Sequence, residues 1–166
     1  MPGNFQIRIT CETSKPKVSL PKIKRAAEQI LKKIGWKKAG LSVILTSDRK
    51  IQKINKLHLK HDRPTDVISF SQLEGRRIHY PSGQAPFLGD LVISLETTAR
   101  QAQIYGNSFS YELAFYLCHG ILHLMGHDDS TKAQAKKMET MQRKILQKIL
   151  KQKGAKFLSF ERESSS

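Results

Sequence analysis

Two histidines four residues apart, His119 and His123, are the residues of this chain whose type and spacing could do chemistry. They lie in the segment HGILHLMGHDD, where the apolar pattern predicts the end of a helix. A helix places side chains at i and i+4 on one face, so both imidazoles can reach the same metal ion. A lone helical histidine is usually packed in a core, but this pair indicates a metal site.

Gly126 follows the second histidine by three residues, where a glycine can end a helix in the left-handed conformation. The chain can then turn back and supply a third ligand. Asp129 is the favoured third ligand and His127 is the alternative, although a continuing helix would carry His127 about 12 Å beyond His119. Three protein ligands leave one position for water, as in catalytic zinc sites, so we predict one zinc ion per chain.

The residue after the first histidine limits which reactions the predicted metal site could catalyse. Zinc peptidases of the H-E-x-x-H type have a glutamate there as general base, and this chain has Gly120. A zinc ion lowers the pKa of bound water to about 7 and polarises a phosphoryl oxygen, which suits phosphodiester hydrolysis. The sequence does not identify the general base and acid, and Asp128 and His127 are the nearest candidates. A zinc peptidase remains an alternative because it shares the outline H-x-x-x-H-x-x-G-x-x-D.

The charge of the chain indicates a polyanionic partner. It has 29 Lys and Arg against 14 Asp and Glu, a formal net charge of +15. Residues 84–131 hold five acidic side chains and Arg100 as their one base, whereas both flanks are basic. A large positive field attracts nucleic acid and speeds its encounter, so RNA or DNA is the expected partner. The alternative is that the charge only makes a lysine-rich surface without a specific partner. A membrane partner is less favoured, because the chain has no strongly apolar helix face.

Composition and cysteine use are typical of a cytoplasmic protein. No apolar run approaches the roughly 20 residues that span a bilayer, and the first ten residues do not resemble a signal peptide. Cys11 and Cys118 are too few for a disulfide framework or a cysteine-rich zinc site. We therefore expect a cytoplasmic protein in which Cys118 is a buried, reduced thiol.

The periodicity of apolar residues predicts a single domain over residues 1–155 and a frayed tail over residues 156–166. Strands are predicted at residues 5–10, 41–46, 67–70 and 88–95. Helices are predicted from Pro21 to Gly35, from Ser47 or Asp48 to before Pro64, and over residues 96–105, 111–125 and 131–151. The order indicates an α/β (α+β) fold, in which a small mixed sheet of about four strands packs with helices and a late helix carries the metal site.

Three segments in this chain resemble motifs of the YbeY family of bacterial endoribonucleases. Residues 119–129 are similar to H-G-x-L-H-L-x-G-[YF]-x-H, residues 63–70 (RPTDVISF) to P-T-[DN]-V-L-S-F, and residues 88–94 (LGDLVIS) to L-G-D-[IL]-x-[IL]. The resemblance implies a zinc-dependent, single-strand-specific endoribonuclease that matures the 3′ end of 16S ribosomal RNA and acts in ribosome quality control. It implies the small ribosomal subunit as partner, and His119 and His123 as metal ligands.

The chain departs from the family pattern at two positions. Asp129 stands where the family has its third histidine ligand, and Leu59 stands where the family usually has an arginine. Lys60 or Arg63 could supply the missing positive charge for the substrate, although lysine lacks the bidentate phosphate contact of arginine. These departures leave a third hypothesis open, a non-enzymatic ribosome assembly factor that keeps a metal for structure.

Overall fold

The chain begins with two parallel strands joined by a helix. The computed structural model describes residues 4–59, 67–72, 85–153, 155 and 159–161. β1 (Phe5–Cys11) pairs with β2 (Ala39–Thr46), and α1 (Leu20–Ile34) connects them. Proline in the first turn of α1 has no N–H that would be left unpaired there, so it suits the start of the helix. Apolar residues at helical spacing bury one face of α1 against the sheet.

Two further strands complete a mixed four-stranded sheet in the order β1-β2-β4-β3. β4 (Phe87–Ser94) lies parallel to β2, and β3 (Val67–Ser71) lies antiparallel to β4 at the edge of the sheet. α2 (Asp48–Leu59) follows β2. The central strands β2 and β4 are buried along nearly their whole length, whereas β1 alternates at its start between buried and exposed positions. The central strands are covered on both faces of the sheet, whereas β1 is covered on one face only at its start.

The last three helices all begin at side-chain caps. They are α3 (Leu95–Tyr105), α4 (Phe109–Leu124) and α5 (Lys132–Leu150). The hydroxyls of Ser94, Ser108 and Thr131 each accept a hydrogen bond from the backbone N–H three residues later. Each cap satisfies one of the N–H groups that a helix leaves unpaired at its start. None of the helices in the described part of the chain is long and apolar enough to cross a bilayer.

α4 is the helix around which the others pack, since it contacts α1, α3, α5, β3 and β4. A helix enclosed in this way is apolar on most of its surface. After its first residue, α4 has four partly exposed positions, at Tyr111, Phe115, His119 and His123. Their spacing of four residues places them along one stripe of the helix. The two histidines and the two aromatic rings therefore share the accessible face of α4.

Gly120 brings α4 close to the sheet. A Cβ atom on this residue would lie 2.8 Å from Cδ2 of Leu91 on β4 and 3.2 Å from a methyl group of Val67 on β3. A glycine inside a helix costs about 1 kcal/mol relative to alanine. The close approach of α4 to the sheet offsets this cost, because it lets the sheet support the helix at the level of the histidine pair.

Asp48, in the first turn of α2, joins that helix to α3. Its carboxylate accepts hydrogen bonds from the hydroxyls of Ser94 and Thr97 and from the guanidinium of Arg100, the last at 2.6 Å. Burial raises the pKa of this carboxyl. The three hydrogen bonds and the positive charge of Arg100 lower the pKa by more than burial raises it, so the net pKa is below its ordinary value. The ionised form of Asp48 is therefore the one that holds α2 against α3.

The described part of the C-terminal segment differs from the frayed tail that the sequence predicted. The Phe160 side chain is fully buried in the main core. Its backbone N–H donates to the Ser110 hydroxyl at 2.7 Å, and its carbonyl accepts from the N–H of Ser19 at 2.7 Å. Glu161 forms an isolated antiparallel bridge with Val18. The buried Phe160 ring and the two backbone hydrogen bonds of this residue anchor residues 159–161. The sequence around it has no regular apolar periodicity that would predict this.

The predicted fold class is confirmed: the described residues form an α+β fold with a mixed four-stranded sheet. The predicted elements are all present in that part of the chain, and their described ends differ from the prediction by one or two residues. The predicted end of the second helix, before Pro64, falls on residues outside the described part. α4, for example, begins at Phe109 rather than at residue 111, because Ser108 caps it. The domain boundary at residue 155 stays a prediction. Residues 73–84, between β3 and β4, lie outside the described residues.

Candidate metal centre

The two candidate histidine ligands lie one turn apart at the end of α4. Nε2 of His119 is 3.0 Å from Nε2 of His123, and the two rings meet edge to face with centroids 4.5 Å apart. Their side chains are about one-quarter exposed, at 24% and 26%. Both rings therefore direct the same kind of nitrogen to one accessible point, as the i, i+4 spacing predicted.

The chain turns back immediately after the second histidine. Gly126 has φ +94°, in the left-handed region. The N–H of His127 donates to the Leu122 carbonyl at 3.1 Å, and the N–H of Gly126 donates to the His123 carbonyl at 3.0 Å. This pair of bonds is the Schellman motif of helix C-termini, with glycine at its left-handed position. The turn that the sequence predicted at Gly126 is confirmed, and it reverses the chain toward the histidines.

Asp129, the favoured third ligand, follows this turn and lies beside both imidazoles. Its Oδ2 is 3.5 Å from Nε2 of His119 and 3.6 Å from Nε2 of His123. In a tetrahedral zinc site with ligand bonds of 2.0–2.2 Å, the ligand atoms are roughly 3.3–3.6 Å apart. The three distances in this group are close to that range. The donor set and its spacing therefore fit a zinc-sized ion.

His127 is not a member of the group of residues that could hold a metal in the described part of the chain. That group consists of His119, His123 and Asp129, with ligand atoms within 4.8 Å of one another. The backbone N–H of His127 closes the helix end at the Leu122 carbonyl, and the chain then continues to Asp129. The structure thus brings together the favoured set of ligands rather than the alternative set.

Asp128 fixes the loop that presents Asp129. Its Oδ1 accepts the backbone N–H groups of Asp129 at 2.8 Å and Ser130 at 3.2 Å, and its Oδ2 accepts the Ser130 hydroxyl at 2.8 Å. The hydrogen bond from the Ser130 hydroxyl is the largest cause of a lowered pKa at the Asp128 carboxyl. The structure therefore gives this carboxylate a positioning role. Its role as a general base or acid, and that of His127, stay predictions.

Cys118 precedes His119 in sequence but lies outside the centre. Its side chain is fully buried in the main core. Burial in apolar surroundings raises the pKa of the thiol to about 12. The thiolate that could bind a metal is therefore absent near neutral pH, in agreement with the predicted reduced, buried thiol.

Two serines of the edge strand support the end of α4. The Ser71 hydroxyl donates to the Leu124 carbonyl at 2.8 Å, and the Ser69 hydroxyl donates to the Gly120 carbonyl at 3.3 Å. The first of these satisfies one of the carbonyls that a helix leaves unpaired at its end. Sequence reasoning missed the role of Ser71. The alternation of serine with apolar residues in β3 was the available signal.

An open cleft of about 720 Å³ adjoins the candidate centre. His119 and Asp129 line it, together with side chains from the end of α3, the start of α4 and one face of α5. The sequence did not predict this cleft, because its walls depend on how three consecutive helices pack against one another. Ligand sites are commonly clefts of this size.

The predicted substrate-binding residues Lys60 and Arg63 lie outside the described residues. The backbone of α2 ends at Leu59, and the chain is described again from Val67 at the start of β3. Their contact with the substrate therefore stays a prediction.

Fold and site together define a small α+β protein in which one enclosed helix and its terminal glycine turn carry two histidines and a carboxylate. The chain belongs to the YbeY family, whose model, described as endoribonuclease YbeY, matches residues 8–150. The predicted family is confirmed.

Relatives named endoribonuclease YbeY match over most of this chain. The Geobacter metallireducens relative is 40% identical over 139 residues, which cover 82% of this chain and 90% of the relative. The Symbiobacterium thermophilum relative is 43% identical over 128 residues, covering 75% and 82%. A solution structure of a Thermotoga maritima protein matches with TM-score 0.57 and 24% identity, over 92% of this chain and 89% of the other. This last likeness supports the fold.

Proposed function

We propose that this protein is a metal-dependent endoribonuclease that cleaves single-stranded RNA. The observation that carries the proposal is the group of His119, His123 and Asp129, with ligand atoms within 4.8 Å of one another on an accessible face. Membership of a family whose relatives are named endoribonucleases supports the reaction class. The reaction is therefore hydrolysis or transfer at a phosphodiester bond of RNA.

Zinc is the proposed metal, with one ion per chain. Two imidazoles and a carboxylate form a ligand set that catalytic zinc sites use, and such sites keep a fourth position for water. When bound, zinc would supply a Lewis acid for a phosphoryl oxygen and water with a pKa near 7. Asp129 would complete this set, where the family pattern has a histidine.

The other site residues have positioning and binding roles in this proposal. Asp128 holds the loop that presents Asp129. His127 and Asp128 are the nearest candidates for proton transfer. Lys60 and Arg63 are the proposed phosphate contacts, because the chain has Leu59 where the family usually has an arginine.

Ribosomal RNA is the proposed substrate, at the 3′ end of the small-subunit (16S) RNA, and the small ribosomal subunit in the cytoplasm is the proposed partner. The net charge of +15 supports a polyanionic partner, because positive charge attracts phosphates over a long range. RNA binding should therefore weaken steeply as salt concentration rises.

A non-enzymatic ribosome assembly factor is the second candidate function. The two departures from the family pattern, Leu59 and Asp129, favour it, because they alter a cation and a ligand of the proposed site. A peptidase is disfavoured by the packing at Gly120, where a side chain would meet Leu91 rather than the metal centre.

The test is cleavage of a labelled single-stranded RNA by freshly purified protein. Chelator-treated protein and a His119→Ala variant are assayed beside it, with His79→Ala as a histidine control from outside residues 119–129. We expect cleavage by the wild type and the control, and none by the other two samples. Equal cleavage by His119→Ala at equal purity would overturn the proposal. Salt-sensitive RNA binding without cleavage would favour the assembly factor, and cleavage of casein alone would favour a peptidase.

A further inference from the structure

The cleft beside the candidate centre continues along the accessible stripe of α4. Phe115 lies one turn, about 6 Å, before His119, and Tyr111 lies one turn before Phe115. All three residues line the cleft. The rings of Tyr111 and Phe115 are inclined by only 27°, with centroids 6.4 Å apart. A polymer bound at the histidine pair would therefore meet two similarly oriented aromatic rings at its next unit.

The charged side chains of the cleft do not suit a phosphate backbone. Asp129, Glu112 and Glu139 contribute three carboxylates, and Arg143 is its one guanidinium among the described residues. Arg143 is already paired with Glu139 at 2.8 Å. Glu112 is only 3% exposed and accepts a hydrogen bond from Asn107 at 3.0 Å. A neutral group with hydrogen-bonding edges fits this lining better than an anion does.

Gln142 of α5 supplies an unused hydrogen-bond donor in the wall of the cleft. Its side chain is only 2% exposed, and its Nε2 has no hydrogen-bond partner among the described residues. A buried donor without a partner costs about 1–3 kcal/mol, so such groups usually have a reason. The nitrogen itself is buried, so an acceptor atom on a bound ligand would satisfy it after a rotation of the amide toward the cleft.

We propose that this cleft is a nucleobase subsite, in which one base of the RNA stacks on the Tyr111–Phe115 pair and accepts a hydrogen bond from Gln142. Every base has a face that stacks on aromatic rings and an edge with acceptors, whereas its phosphate carries the negative charge that this lining disfavours. The position one turn from His119 assigns the subsite to a nucleotide next to the bond that is cut. The inference rests on the proposed function, since it takes RNA as the polymer.

Nuclear magnetic resonance measures this binding without any cleavage step. The purified protein is titrated with each of the four nucleoside 5′-monophosphates, and with ribose 5-phosphate as the ligand without a base. We expect at least one nucleotide to shift the side-chain amide of Gln142 and the ring signals of Phe115, and ribose 5-phosphate to leave both unchanged. Unchanged signals with all four nucleotides, or equal shifts with ribose 5-phosphate, would overturn the subsite.

Matched variants separate base binding from folding. Phe115→Leu removes the stacking face, with Phe109→Leu on the same helix as control, since Phe109 does not line the cleft. Gln142→Met removes the buried donor at similar size, with the exposed Gln147→Met as control. Both cleft variants should weaken binding of the best nucleotide at least about fivefold, and both controls should leave it unchanged. Wild-type affinity in both cleft variants would contradict the assignment.

Cleavage of RNA gives an independent measure. On single-stranded RNAs that differ at one nucleotide beside the cut, the wild type should prefer one base, and Gln142→Met should reduce that preference. Nucleotide binding at the cleft by a protein that cuts no RNA would retain the subsite and sink the nuclease proposal. RNA cleavage without nucleotide binding at the cleft would sink the subsite alone.

Discussion

Oδ1 of Asp128 accepts a hydrogen bond from the backbone N–H of Asp129 at 2.8 Å, and the same carboxylate group binds Ser130 twice. The residue before the candidate ligand therefore fixes the loop on which that ligand stands. Because a zinc ligand must be held closely in place, this neighbouring carboxylate would contribute to metal affinity at the proposed site without touching the metal.

Asp128→Ala should weaken zinc binding about 10- to 100-fold while the protein stays folded, because the side chain is exposed and holds only the loop. Asp128→Asn should stay close to the wild type, since an amide oxygen can accept the same N–H bonds. Competition with a chromogenic chelator measures the affinity. Wild-type affinity in Asp128→Ala would show that the loop holds Asp129 without this carboxylate.

Gly120→Ala should destabilise the protein by about 1–3 kcal/mol, because its Cβ would lie 2.8 Å from the side chain of Leu91. The higher helix propensity of alanine, about 1 kcal/mol, opposes this effect. Urea unfolding followed by circular dichroism measures the difference. The penalty should shrink in a Leu91→Val background, which removes the δ-methyl groups that clash. A more stable Gly120→Ala variant would contradict the close approach of α4 to the sheet.

Phe160→Ala should destabilise the protein by about 3–5 kcal/mol, because the ring is fully buried and its loss leaves a cavity. Glu161→Ala is the control, since that neighbouring side chain is exposed. The midpoint of urea unfolding reports both changes. Equal stability of the two variants would mean that residues 159–161 are not anchored in solution.

Asp48 should make stability depend on pH in the acid range. Its pKa is lowered in the folded state, so its contribution is complete above the unfolded pKa of about 4 and is lost as pH falls through the folded value. Asp48→Asn should therefore be less stable than the wild type at pH 7, and the difference should shrink below pH 4. Unfolding curves between pH 7 and pH 3 measure this. A stability difference that stays constant with pH would contradict the claim that ionised Asp48 stabilises the fold.

The local parts of the site follow from the sequence because short-range rules decide them. The spacing of His119 and His123 puts both rings on one helix face, and Gly126 supplies the left-handed residue of the Schellman turn. Together they bring Asp129 back to the pair. The strands and helices also follow from periodicity and caps, apart from shifts of one or two residues at their ends.

The long-range parts of the fold do not follow from these rules. β3 is antiparallel at the sheet edge, and its Ser71 supports the end of α4 across 53 residues of sequence. Gln142 lines the same cleft as His119 only because α5 packs on α4. Phe160 fills the core from a segment without periodicity. Each of these depends on tertiary packing, which a local pattern does not contain.

The most direct test of the central claim is the zinc content of the protein, measured by mass spectrometry after exchange into metal-free buffer and addition of one equivalent of zinc. We expect about one zinc ion per chain in the wild type, and a loss of most of it in His123→Ala and Asp129→Ala, with His127→Ala close to the wild type. A wild type that retains no zinc would contradict the account. So would a His123→Ala variant that retains as much zinc as the wild type.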